Sequence, residues 1–144
     1  VGVVSEVLVM TQVGRWTDRH GRKPALMAAF LLMPVRLLCY IPATGALWAS
    51  VVQSLHGVNL GIVGAIAVTF VNDCAPERQR GAIQARLAGT GGLAVALGQW
   101  VCGFVLQRWG FPAMFGAMSA VGALGAALLW TRVRESHPDL RAAR

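Results

Sequence analysis

Apolar residues run in five blocks, at residues 1–13, 25–41, 47–71, 87–106 and 111–130, and every formal charge except Glu6 and Arg36 lies between or beyond them. A helix needs about 20 apolar residues to cross roughly 30 Å of hydrocarbon, so the last four blocks read as membrane spans. The first, as a helix, would reach only ~20 Å and cannot cross alone. The rest of that helix is expected upstream of Val1, which makes the chain read as a piece of a longer protein. Proline punctuates the pattern: Pro24 suits a first helical turn, Pro34 predicts a kink and Pro42 an end. Residues 43–46 form a short uncharged outer loop. The fourth block carries Gly89, Gly91, Gly92, Gly98 and Gly103, which predicts close helix contact. Residues 107–110 read as an outer turn with Arg108 beside the interfacial Trp109.

Composition fits a bilayer. With 56% hydrophobic and 13% charged residues over 144 positions and a mean hydropathy of +0.57, the chain is too apolar for a typical soluble domain. A formal charge of +7 raises nucleic acid as a partner. That would require a cationic stripe among polar neighbours. Instead, eleven of the thirteen cations sit in residues 15–23, 78–86 and 132–144, between apolar blocks. Such clustering is positive-inside patterning, so those segments and the C-terminus are expected in the cytoplasm, most naturally that of a bacterial inner membrane. The expected organisation is a transmembrane bundle over residues 1–131 and a loosely ordered cytoplasmic tail over 132–144. Cys39, Cys74 and Cys102 are too far apart for a metal site or a disulfide framework and read as packing residues. Neither a signal peptide, a nucleotide-binding glycine motif nor a catalytic constellation is visible, so no enzyme, cofactor or metal is expected.

The stretch Gly14-Arg15-Trp16-Thr17-Asp18-Arg19-His20-Gly21-Arg22-Lys23 sets one carboxylate among cations, with two glycines seven apart that permit chain reversal. Taken alone it is an ordinary positive loop. Its order G-x-x-x-D-R-x-G-R-K resembles the loop signature of the major facilitator superfamily, which joins the second to the third helix in each six-helix half. A second stretch, Ala75-Pro76-Glu77-Arg78-Gln79-Arg80-Gly81, is similar to the loop that this family places between its tenth and eleventh helices. The resemblance implies an all-α membrane protein of the major facilitator fold, a partial C-terminal six-helix bundle covering helices eight to twelve. It also implies a cytoplasmic latch drawn from Gly14, Asp18, Arg19, Gly21, Arg22, Lys23, Glu77, Arg78 and Arg80; positive-inside patterning places Asp18 on the same side as Arg78, Arg80 and Arg86, its expected partners.

Polar groups inside the spans carry the remaining information, because in lipid they are tolerated only against a cavity or a partner. Along helix axes Glu6 lies ~12 Å from the cytoplasmic turn, Arg36 ~18 Å and Asn59 ~21 Å, with His56 about a turn further out. Gln53, His56 and Asn59 recur every third residue and so share one face. Glu6 and Arg36 can equally form a structural ion pair, His56 can be a satisfied packing histidine, and Gln99 suits a bond between helices. A carboxylate, an arginine and a histidine on successive spans are similar to the lactose permease-like sugar:proton symporters. There, the matching positions bind sugar and assist proton coupling. That branch has a carboxylate where this chain has Asn59, which does not titrate. The run Gln53-Ser54-Leu55-His56-Gly57 is also similar to permeases for aromatic acids.

The sequence therefore points to transport of a small solute, with or without protons, by alternating access in membrane lipid. Glu6, Arg36, Gln53, His56 and Asn59 are the site candidates, and an N-terminal half of the transporter is the expected partner. Two further readings stay open: a drug or metabolite exporter with Glu6 as the proton site, and a non-transporting membrane module or decayed gene product.

Overall fold

The computed structural model describes residues 2–42 and 45–136. Four helices account for most of them: α1 (Gly2–His20), α2 (Arg22–Cys39), α3 (Ala46–Cys74) and α4 (Arg80–Arg132), with a single 3-10 turn at Glu77–Gln79. The expected charged loop at 14–23 is nearly all helix. Gly14 lies inside α1, and the chain changes direction at Gly21 alone, where φ is 96° and ψ 162°. A side chain rarely adopts that angle, so glycine is required here, whereas Gly14 does no turning. The Gly21 amide donates to the Thr17 carbonyl at 2.9 Å and closes α1.

α4 is two helices in one. Gly110 has φ 79° and ψ 179°, and Pro112 follows as a first-turn residue of the second arm. Contacts at each end show the reversal expected at 107–110. Gln84 in the first arm bonds Asn72 near the end of α3, at 2.9 Å. In the second arm Phe115 stacks on Tyr40, and Trp130 sits back beside Lys23. Two elements, Ala46–Cys74 and the 56-residue stretch Glu77–Arg132, are long and apolar enough to cross a membrane.

The helices pack in two pairs. α1 lies on α3, where a Cβ on Gly61 would come within 2.9 Å of the Glu6 carbonyl and 3.1 Å of Val9 Cβ. Only glycine permits that approach, and it sets the level of Glu6 against α3. Ser5 Oγ fixes the same register by donating to the Ser54 carbonyl at 3.0 Å. α2 lies on the second arm of α4, where Ser119 Oγ donates to the Pro34 carbonyl at 3.0 Å. Val13, Ala25, Leu26, Ile66 and Leu129 form the small core that joins the pairs.

Outside that core the surface is apolar: Leu47 is 86% exposed and Trp100 73%. So large an exposed apolar area suits lipid and not water. The glycines of the first arm of α4 do not make the close approach expected of them. A Cβ at Gly89, Gly91, Gly92, Gly98 or Gly103 would meet nothing within 4 Å, because no described helix covers that face.

Candidate functional site

The first cluster lies between α1, α2 and α3. Glu6 and Arg36 are each 15 residues from the Gly21 break, ~22 Å along their helices at 1.5 Å per residue. Both are half-buried, as is His56, which feels the charges of both. No ion pair joins Glu6 to Arg36. Arg36 Nε and His56 Nδ1 are instead buried without a hydrogen-bond partner among the described residues. Tyr40, one turn beyond Arg36 at the end of α2, donates its hydroxyl to Gln53 Oε1 at 2.6 Å. The arrangement thus presents a carboxylate, a guanidinium, an imidazole and an amide with hydrogen-bonding capacity to spare.

The expectation that Gln53, His56 and Asn59 look into one space does not hold. Gln53 is exposed, whereas Asn59 is buried and donates from Nδ2 to the Ala29 carbonyl at 2.5 Å. Ala29 immediately precedes Phe30, whose own carbonyl loses its helical donor at Pro34. The Asn59 amide is therefore engaged in holding α3 to α2. Gln99, expected to bridge helices, is exposed on the first arm of α4 and bonds no neighbour among the described residues.

The second cluster is at the Gly21 break. Arg22, 8% exposed, is held from two sides: Nη2 lies 3.2 Å from Asp18 Oδ1 and Nε 3.1 Å from Asp73 Oδ2. The Asp73 contact is an ion pair outside hydrogen-bond alignment. Arg22 Nη1 also donates to the Thr17 carbonyl at 3.3 Å. Asp18 faces Arg22 of its own segment and not the cations at 78–86, correcting the expected partner. Glu77 meets only Arg80, at 3.9 Å across an exposed turn, and Arg19, Arg78 and Arg86 are exposed. An isolated surface pair of that kind contributes little. Among the expected latch residues, Asp18, Gly21, Arg22 and Lys23 are brought together. Gly14, Arg19, Glu77, Arg78 and Arg80 are not.

Two participants were not expected. Glu135, in the segment read as a loose tail, caps α2: Oε1 accepts from the Arg22 amide at 2.9 Å and Oε2 from the Lys23 amide at 3.1 Å. A carboxylate suits that place because the first turn of a helix has unsatisfied N–H groups and a partial positive charge. Lys23 Nζ donates to the Trp130 carbonyl at 2.9 Å and lies 5.6 Å from its ring centroid. Residues 133–136 are thereby folded onto the α2 start, while the rest of the expected tail, 137–144, lies outside the described residues. Asp73 had a weak signal as a carboxylate at the end of a span, but nothing local marks Glu135 as a cap for a helix 113 residues earlier. The three cysteines are free, and among the described residues no three His, Cys, Asp or Glu side chains could hold a metal.

Comparison with known proteins agrees with this architecture. Residues 3–144 match the family described as Major Facilitator Superfamily. "Multidrug resistance protein MdtL" of Salmonella heidelberg (strain SL476) is 30% identical over 136 residues, 94% of this chain and 34% of that protein. The proteins of the same name from Salmonella paratyphi B and Salmonella typhimurium are each 29% identical over 130 residues, 90% of this chain and 33% of theirs. The chain thus spans about a third of the length of these relatives. No solved structure matches. An all-helical chain with lipid-suited surfaces that matches one family from residue 3 to residue 144 is an integral membrane protein, and it belongs to the Major Facilitator Superfamily.

Proposed function

We propose that the chain is the C-terminal part of a secondary transporter that moves a small solute by alternating access, in the export direction. The observation that carries the reading is the half-buried cluster of Glu6, Arg36 and His56, in which Arg36 Nε and His56 Nδ1 keep unused hydrogen-bonding capacity. Unpartnered polar atoms within a membrane span are expensive and are retained where a solute or an aqueous cavity meets them. Relatives named for multidrug resistance favour export over sugar symport. The engagement of Asn59 in packing points the same way, since the symporter branch would need a titrating group at that position. The rest of the transporter, which the relatives' greater length leads us to expect, supplies the opposing cavity wall. The chain ends on the cytoplasmic side of a bacterial inner membrane, and the Asp18–Arg22–Asp73 contacts latch that side.

Glu6 is the proton-exchanging group in this reading, and Gln53 and Tyr40 border the solute. Transport by the full-length protein in proteoliposomes tests it. Glu6→Gln should abolish proton-driven movement while leaving solute binding measurable, and Arg36→Ala should weaken binding itself. Proton-driven transport by Glu6→Gln at the parent rate would make the carboxylate structural and move the proton path elsewhere.

A further inference from the structure

Gln12, Arg15, Trp16, Arg19 and His20 fall at i, i+3, i+4, i+7 and i+8, hence on one face of α1. They line a concavity of about 300 Å3. Leu8 and Val9 continue that face inward and, with Ala25 and Ala28 of α2 and Ile62 of α3, line an apolar groove of about 480 Å3. Gln12 and Trp16 border both, so the two form one continuous surface that grades from apolar through aromatic to cationic.

The cations here differ from Arg22. Arg15 and Arg19 are exposed, and neither forms an ion pair among the described residues. Trp16 is 44% exposed and stacks on His20 with ring centroids 4.8 Å apart, a placement typical of an aromatic at the headgroup level. From Leu8 to Arg19 the helix rises ~17 Å, close to the ~15 Å of one hydrocarbon leaflet.

We propose that this face of α1 binds an anionic phospholipid, with its phosphate between Arg15 and Arg19 and an acyl chain in the groove between α1 and α2. The chemistry of the face matches that molecule part by part: two unpaired guanidiniums for the phosphate, an indole at the glycerol level and aliphatic walls below. Positive-inside orientation assigns the lipid to the cytoplasmic leaflet, where it would lie against the segment that carries Asp18 and Arg22.

The test is native mass spectrometry of the full-length transporter in neutral detergent, titrated with dioleoyl phosphatidylglycerol and, in parallel, dioleoyl phosphatidylcholine. Phosphatidylglycerol should be retained preferentially. The double variant R15Q/R19Q should weaken its binding roughly 30-fold, at about 1 kcal/mol per cation near an anionic surface, and leave phosphatidylcholine unchanged. Ala28→Phe, which fills the groove without altering charge, should weaken phosphatidylglycerol as well, and Ala28→Leu should do so to a lesser degree. Equal retention of the two lipids, or full binding by R15Q/R19Q, would overturn the proposal. Binding insensitive to both Ala28 variants would reduce it to diffuse surface attraction and overturn the groove. Displacement of the lipid by millimolar inorganic phosphate would reassign the cations to a free anion and overturn it also.

Discussion

Glu135→Ala removes the two carboxylate bonds at the start of α2, 2.9 Å to the Arg22 amide and 3.1 Å to the Lys23 amide. No side chain from the preceding segment substitutes, because the residue at the N-cap position is Gly21. Losing an N-cap acceptor costs about 1 kcal/mol, and losing a negative charge beside the first turn adds roughly 0.5 kcal/mol. The sum, about 1.5 kcal/mol, is a little over tenfold in the equilibrium between closed and locally open forms of this turn. Hydrogen exchange of the full-length transporter reads that equilibrium directly, in the peptide containing the Arg22 and Lys23 amides. Exchange there should rise about tenfold in Glu135→Ala. Glu135→Gln, which keeps one carbonyl acceptor but no charge, should lie between variant and parent. Arg134→Ala, an exposed neighbour, should change nothing. Exchange within twofold of the parent in Glu135→Ala would refute the reasoning and return residues 133–136 to the status of a passive tail.

Two further outcomes follow from the geometry. Arg22→Gln leaves the half-buried Asp73 without its cation and should lower the thermal midpoint of the full-length protein, at a cost of about 2 kcal/mol, whereas Arg22→Lys, which keeps charge but loses the planar fork, should cost less; equal melting of Arg22→Gln and parent would remove the latch. Gly61→Ala places a methyl 2.9 Å from the Glu6 carbonyl and should cost roughly 1–3 kcal/mol by forcing α1 away from α3, with transport reduced; unchanged melting and transport would show that this seam yields freely.

What the sequence made legible is what has a local signature. Apolar blocks bounded by charge located the helices, because period and length are properties of a single segment. The outer reversal was expected at 107–110 from the gap between two apolar blocks, and the structure makes it at Gly110 followed by Pro112, whose backbone preferences need no partner. The segment around Gly21 was misread as a loop, since its charges suggested solvent, yet Thr17 is only 2% exposed and the residues up to His20 remain helical. Among site residues, Glu6, Arg36 and His56 stood out by their cost in lipid, a one-residue argument that also marked Asn59. Burial cost does not say whether a polar group is satisfied, however, and the Ala29 carbonyl that satisfies Asn59 belongs to another helix 30 residues away. The pairing of Arg22 with Asp73 and the capping by Glu135 were hidden for the same reason. Each joins segments whose proximity only the packing of the four helices decides.

That packing gives the clusters their relation. α1 and α3 form one pair, tied by the close approach at Gly61 and by Ser5 on the Ser54 carbonyl. α2 and the second arm of α4 form the other, tied by Ser119 on the Pro34 carbonyl, by Lys23 on the Trp130 carbonyl and by the Glu135 cap. The bonds between pairs differ in kind along the bundle. At the Gly21 end they are ionic, from Arg22 to Asp18 and Asp73. Further along they are neutral, with Asn59 donating to the Ala29 carbonyl, Tyr40 to Gln53 and Trp48 to the Cys39 carbonyl. Glu6 and Arg36, in the half-buried region around His56, form no ion pair. Both kinds of bond are costly to break unreplaced, since Arg22 and Asn59 are each buried. A solute that satisfied Arg36 Nε or His56 Nδ1 would sit between α2 and α3, the helices that the Arg22–Asp73 ion pair and the Asn59 bond also join.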